Sequence, residues 1–379
     1  MDRAELVESF DDATGRFTLD VAVTDASFGH LFGYRGTFAC EWPVVAAVPA
    51  GVRPVREEPR PSPLFQRPGG RSAAVAYPRG VEIVSERQWR ERTAAHEARV
   101  DKATVGHTAR RSDGRRHPVE DFLFTYYAFK PSQLRRWHPG AGVGLEAASL
   151  APQRDWRHYV VGDDIVAVDV KSFLAARGDT VRFVTDLLAR TAARPGRFGC
   201  FGLHEWAMVY RLDPSDVRHA DWPLRLGAAG TDAVVESHQV ACSHFDAHRF
   251  FTPAAVPRNA LQPTRADQPA LEQPGCLHAG MDLYKWAHKL VPAVSSELVM
   301  DCFELARDIR SLDMRAAPYD LRELGYEPVP IETPEGKAVY VAEQRAFAER
   351  GQRLRQRLIA VCDDLVQSAL DGTPSRRGS

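Results

Sequence analysis

Leu277-His-Ala-Gly-Met-Asp-Leu-Tyr-Lys-Trp-Ala-His-Lys289 and Ser296-Glu-Leu-Val-Met-Asp-Cys-Phe-Glu-Leu-Ala-Arg-Asp-Ile-Arg-Ser-Leu312 read as the two strongest helices of the chain. In the first, Leu283, Trp286, Ala287 and Leu290 form an apolar side. His278, Asp282 and Lys285, at i, i+4 and i+7, form a polar stripe beside it. Ser295 or Ser296 caps the second helix, and Glu297 in its first turn suits the helix dipole. Farther along, Asp301, Glu304 and Asp308 share a face, and Arg307, Arg310 and Arg315 alternate with them. This is a salt-bridged helix, or a row of guanidiniums able to clamp phosphate or carboxylate.

Other helices flank this pair. Residues 335–370 read as a long charged helix or helix pair. Asp179 is the expected cap of a helix from Thr180 to Ala193, which Arg194-Pro-Gly196 ends. Ser85-Glu-Arg-Gln88 is a capping box opening a helix to Val100, and His204–Leu212 is helical. Residues 119–129 are aromatic all round and belong inside. Asp164–Val170 alternates as a short strand, and Thr231–Cys242 looks extended. The expected fold is α+β and helix-dominated: one large domain over residues 87–371 with a few short strands, then a disordered tail at 372–379. Residues 1–86 read as a poorly ordered extension. It holds one strand, Phe17–Val23, an apolar run at Pro43–Val48 and a proline-rich linker from Pro49 to Arg71.

The 379 residues carry a formal net charge of −1 and a hydrophobic fraction of 44%. That affords a sizeable core, and no global field favours nucleic acid or an anionic membrane. The six cysteines are widely spaced without a CxxC pair, which argues against a disulfide scaffold or a zinc ribbon. The first residues lack the apolar core of a signal peptide, and no run is long enough to span a membrane. The expectation is a reduced, cytoplasmic protein with no membrane partner.

Chemistry concentrates between Phe198 and His288, which hold seven of the thirteen histidines. At its centre, Glu236-Ser-His-Gln-Val-Ala-Cys-Ser-His-Phe-Asp-Ala-His248 puts His238, Cys242, His244, Asp246 and His248 at alternate positions. A strand would place them on one face; a helix would stack His244 on His248. Imidazole, thiolate and carboxylate suit zinc or ferrous iron, and His204 or His278 could complete an open site. A hydrogen-bonded polar network would look the same. His204-Glu205-Trp206 starts a helix after two glycines, so Glu205 is either a general acid raised by its aromatic neighbour or a first-turn residue. Asp282 could activate water, and Lys285 could attack a sugar carbon or hold phosphate. Asn259, Gln262 and Arg265 lie in a polar turn able to meet a base edge or a phosphate.

From about Gln88 to the last helix, the chain resembles the actinobacterial family usually labelled 3-methyladenine DNA glycosylase. The resemblance rests on His117-Pro-Val-Glu-Asp-Phe-Leu-Phe-Thr-Tyr-Tyr127, Arg197-Phe-Gly-Cys-Phe-Gly-Leu-His-Glu-Trp206 and Cys242-Ser-His-Phe-Asp-Ala-His-Arg-Phe-Phe-Thr-Pro253. It extends through Asn259-Ala-Leu-Gln-Pro-Thr264, Cys276–Lys285 and Asp301–Arg310. It implies excision of an alkylated purine from damaged DNA, with a base flipped into an aromatic pocket. On that reading Trp206, Tyr210, Phe245, Tyr284 and Trp286 line the pocket. Glu205, Asp246 or Asp282 supplies the carboxylate, and Arg249, Arg258 and Arg265 contact phosphate. His138-Pro-Gly-Ala-Gly142 only partly matches the hairpin of the best-known glycosylase superfamily. Two other function classes compete: a zinc- or iron-dependent hydrolase or oxidoreductase acting on a small molecule, with His204, His238, Cys242, His244, His248 and His278 as ligands, and a non-catalytic ligand clamp.

Overall fold

The computed structural model describes residues 3–11, 16–25, 29–39, 81–213 and 222–371. The chain divides into two compact units, Met1–Arg71 and Ser72–Ser379. The first holds strands β1 (Arg3–Asp11), β2 (Arg16–Asp25) and β3 (Gly29–Ala39), an antiparallel meander with an irregularity between Val23 and Thr24. The expected strand Phe17–Val23 lies inside β2. The sequence of β3 is punctuated by glycines, which weaken an alternating pattern. The expected apolar run at Pro43–Val48, the linker at Pro49–Arg71 and the tail at 372–379 lie outside the described residues.

The second unit opens with β4 (Glu82–Val84) and α1 (Glu86–Ser112), followed by the short helices α2 (Phe122–Tyr126) and α3 (Pro131–Leu134) and by strand β5 (Val143–Glu146). Gln88 Oε1 reaches back to Ser85 N at 3.1 Å, the expected capping contact, and α1 runs well past Val100. Strands β6 (Tyr159–Gly162) and β7 (Ile165–Val168) complete a sheet of order β4-β5-β7-β6, in which only β4 and β5 run parallel. Asp163 and Asp164, at φ 46° and 59°, form the β6–β7 turn; a two-residue hairpin needs left-handed backbone there, and aspartate tolerates it. His138–Gly142 leads into β5, not into a second helix, so it is no helix-hairpin-helix.

Helix α4 (Val170–Ala192) begins earlier than expected. Asp169 is its cap, accepting from Ser172 N at 2.9 Å, while Asp179 sits mid-helix paired with exposed Arg182. Helix α5 (Leu203–Ala207) is shorter than expected. Helix α6 (Gly227–Ser237) replaces the expected extended segment at 231–242. Its Thr231, Val234 and Val235 are the buried i, i+3, i+4 face of a helix, a pattern that the β-branched composition disguised. Short helices α7 (Phe245–His248) and α8 (Gln268–Leu271) precede α9 (Leu277–Lys289), α10 (Ser296–Arg315) and the single long α11 (Pro334–Asp371).

Helix α9 is the centre. Leu277, Met281, Leu283, Tyr284 and Ala287 are all buried, so the helix is enclosed nearly all round by α10, α11 and their neighbours. Gly280 permits the α9–α10 approach: a Cβ there would lie 2.7 Å from Ile309 Cδ1. A central helix that also carries His278, Asp282 and Lys285 must satisfy those groups internally, because an unpaired buried charge is prohibitively costly. The fold is thus α+β and helix-dominated, with its polar side chains driven toward the middle. Among the described residues, no helix is long and apolar enough to cross a membrane.

Candidate metal centre

Four segments bring their polar residues to one place. Helix α5 delivers His204 and Glu205 directly after Phe201 and Gly202, both in left-handed backbone at φ 44° and 70°. That kink turns the chain sharply into the helix, and Gly202 meets it without strain. Helix α9 supplies His278, Asp282 and Lys285; α10 supplies Arg310 and Asp313. The turn into α7 supplies His244 and Asp246.

The groups form a continuous file. Arg310 Nη1 donates to Glu205 Oε1 at 2.8 Å and to Asp313 Oδ2 at 3.0 Å. The other Asp313 oxygen lies 2.9 Å from His204 Nε2. The His204 ring meets the His278 ring edge-on with centroids 4.5 Å apart, and His278 stacks on His244 at 5.2 Å. His244 Nε2 is 3.7 Å from Asp282 Oδ2. Asp282 also accepts from the Tyr127 hydroxyl at 2.9 Å and pairs with Lys285. Asp246 continues the file outward, 3.9 Å from Lys285, 3.2 Å from Arg249 and 3.5 Å from Arg265.

Within this file, His204, His278 and Asp313 offer ligand atoms within 4.8 Å of one another, and so do His244, Asp246 and Asp282. Atoms sharing one zinc at about 2.0–2.2 Å are at most about 4.4 Å apart, so each group needs little adjustment to close on a cation. The contact between His204 and Asp313 is specific on this point. Nε2 and Oδ1 are within ion-pair distance, yet neither makes a hydrogen bond, and both are buried. A cation that displaced the His204 proton would meet both atoms at once.

Electrostatics favours the ligand forms. Burial, reinforced by His204 and His244, pushes His278 far below the usual imidazole range. Burial likewise lowers His244. Burial would raise Asp282, but Lys285, His244 and Tyr127 hold it below the usual carboxylate range. Burial would raise Asp313 too, and His204 and Arg310 outweigh it. His204 is the exception: burial lowers it, but Asp313 and Glu205 more than compensate, so it is raised. Two neutral imidazoles and two ionised carboxylates suit a borderline cation.

The site opens to solvent in two stages. A chamber of about 60 Å³ touches Glu205, His278, Asp246 and Arg310. It shares Phe122, Tyr126, Asp246 and Phe250 with a cleft of about 810 Å³. Aromatic rings of Tyr126, Tyr127 and Phe129 wall that cleft, with Arg249, Arg265, Lys285 and Lys289 around it. Residues 119–129, expected wholly inside, therefore lose that burial to the cleft, and within α2 only Leu123 is fully buried.

The structure brings together His204, Glu205, His244, Asp246, His278, Asp282 and Lys285 of the expected residues, with Arg249 and Arg265 at the rim. It leaves the others elsewhere. His238 caps its own helix, with Nδ1 2.7 Å from Val234 O. His248 packs against Phe251. The Cys242 thiol donates to His244 O at 3.6 Å, burial pushes it up to about 12, and it belongs to neither His/Asp group. Trp206 is core, its indole N–H bound to Ala316 O at 2.9 Å. Tyr210 donates to Glu236 at 2.8 Å, and Arg258 lies over its ring. Tyr284 and Trp286 are buried on the central helix, and Phe245 lies under Arg265. Asn259 ties Cys242 N and O, and Gln262 ties Val256 O, so both hold a turn.

Asp313, Tyr126 and Tyr127 were missed. Asp313 lies three residues after Arg310, off the acidic face of Asp301, Glu304 and Asp308; that change of face was the available signal. Residues 1–38 match the family described as Domain of unknown function (DUF4166). No curated protein and no solved structure matches the chain.

Proposed function

We propose that the second unit is a metal-dependent hydrolase acting on a small anionic molecule with an aromatic part. The observation that supports this most is the pair of His/Asp groups set side by side at the head of an aromatic, cation-rimmed cleft. A divalent cation supplies Lewis acidity and a water acidic enough to ionise near neutral pH. The protein's own residues do the rest. Tyr126, Tyr127 and Phe129 take the aromatic part, and Lys285 with Arg249 holds the anionic part. His204, His278 and Asp313 would hold the cation, which leaves Asp246, reaching both chamber and cleft, to take the proton of the attacking water. As the bond to the leaving group breaks, Asp246 returns that proton to it. Tyr127 and Arg310 keep Asp282 and Asp313 ionised, and Arg310 orients Glu205.

The test is turnover of a panel of aryl esters and aryl phosphates before and after chelation. Expected are loss of activity on chelation, recovery with zinc or ferrous iron, and inactive His278→Ala and Asp313→Asn. Chelation-resistant turnover contradicts the proposal.

A second reading draws on the same cleft. Aromatic walls beside arginines also fit a flipped base and its phosphates, as DNA N-glycosylase chemistry requires, with Asp282 or Asp246 as the carboxylate. That reading expects base release from alkylated DNA that survives chelation and fails in Asp282→Asn. Release blocked by chelation argues against it.

A further inference from the structure

Beyond the cleft, the second unit holds another cavity, of about 400 Å³, with a different composition. Arg136 follows α3, Arg157 precedes β6 and Arg177 lies on α4; all three border the cavity. None of them has a carboxylate partner among the described residues, and no acidic residue lines the cavity. Other arginines of this unit are paired with carboxylates, among them Arg99 with Asp301 and Glu304, Arg135 with Glu97 and Asp101, and Arg225 with Glu332. Nearby carboxylates are already engaged. Asp169 caps α4, and Glu297 accepts from the Trp137 indole at 2.8 Å.

The three guanidiniums are exposed and come from three segments, yet they border one cavity that no carboxylate lines, so an anion entering it meets positive charge on several sides and no negative charge. We propose that this cavity is an anion site for a phosphate-bearing small molecule, separate from the candidate metal centre. A single carboxylate is satisfied by one bidentate arginine; three arginines match the several oxygens and double charge of a phosphate. Trp156 and the apolar edge of Leu134, Val291 and Pro292 offer a surface for an organic group attached to it. The positive field is already felt inside: burial first, then Arg136, lowers His138 to about 3, and burial with Arg157 and Arg177 lowers His158. His288 on the inner wall stacks at 3.7 Å on Phe129, which lines the main cleft, so the two cavities lie back to back.

The ligand is either free phosphate or an organic phosphate monoester, and calorimetric titration of the full chain with inorganic phosphate and with butyl phosphate, which lacks the aromatic part assigned to the main cleft, separates them. Chloride at matched ionic strength controls for screening. Expected is saturable binding, weakened about tenfold or more by Arg157→Gln and by Arg177→Gln, as loss of a charge-assisted contact implies. Tighter binding of butyl phosphate identifies the monoester; equal binding identifies phosphate itself. The free variants should melt no lower than the parent, because a repulsion has been removed. Arg353→Gln, an exposed arginine of α11 that lines neither cavity, should leave this binding unchanged. Absence of saturable binding, equal affinity in the Arg157 and Arg177 variants, or equal weakening by Arg353→Gln would overturn the proposal.

Discussion

Helix α10 carries charges on two faces, and the two faces behave differently. On the outer face, Arg99 bridges Asp301 at 2.9 Å and Glu304 at 2.7 Å, Arg357 reaches Asp301 at 2.6 Å and Arg350 reaches Asp308 at 2.6 Å. Those acidic side chains retain 28–38% exposure. On the inner face, Arg310, Asp313 and Glu205 are 3%, 0% and 7% exposed, and one Asp313 oxygen with its neighbour His204 Nε2 makes no hydrogen bond. The outer face is closed: each acid has its base, and water covers the remainder. The inner face is buried yet incomplete. Charged residues on a helix therefore point to a site by what burial leaves unsatisfied, not by their number.

Substitution and pH put this contrast to the test. The largest effect belongs to Arg310→Met, which strands Glu205 and Asp313 as uncompensated buried carboxylates. Chemical denaturation should show a loss of about 3–5 kcal/mol. A loss below about 1 kcal/mol would mean that the inner face is solvated like the outer one.

Next comes pH, read at imidazoles buried away from the metal centre. Burial, with Arg136, holds His138 at about 3, and burial holds His288 at about 4. The unfolded chain binds protons near 6.5 that the folded chain refuses, so stability is full above that pH and falls as pH drops toward 4 and 3. Between pH 6.5 and 5 each imidazole should cost about 2 kcal/mol. His288→Gln should flatten the slope; an unchanged slope would show that His288 is hydrated.

The smallest effect belongs to the outer face. The hydrogen bond from Arg99 holds Glu304 below its usual range, and this contribution is present above the unfolded value near 4.3 and lost only in stronger acid. Glu304→Gln near neutral pH should cost less than about 1 kcal/mol, because a partly exposed pair is screened. A larger loss would place the outer network, too, among the buried ones.

Much of this was legible before any coordinates. The polar stripe of α9 was readable from spacing, because i, i+4 and i+7 fall on one face whatever surrounds them. The convergence of His204, His244 and His278 was readable as composition, though not as geometry. The row from His238 to His248 misled because alternation presumes a strand; once α6 takes Thr231, Val234 and Val235 as its buried face, His238 and His248 point to separate places. Asp313 was hidden because an i,i+3 Arg–Asp pair looks the same on a solvated helix as in a core. The second cavity was invisible because Arg136, Arg157 and Arg177 are brought together only by the tertiary fold. In the first unit, strand β2 alone announced itself.

The central claim is that the unsatisfied inner face is a cation site, and metal content tests it most directly. The full chain, purified without a chelating tag, should carry about one zinc or iron per molecule or more. The metal should be retained in Glu304→Gln and lost in His278→Ala and Asp313→Asn. A folded protein with far less than stoichiometric metal, or His278→Ala and Asp313→Asn variants that keep it, would contradict the account.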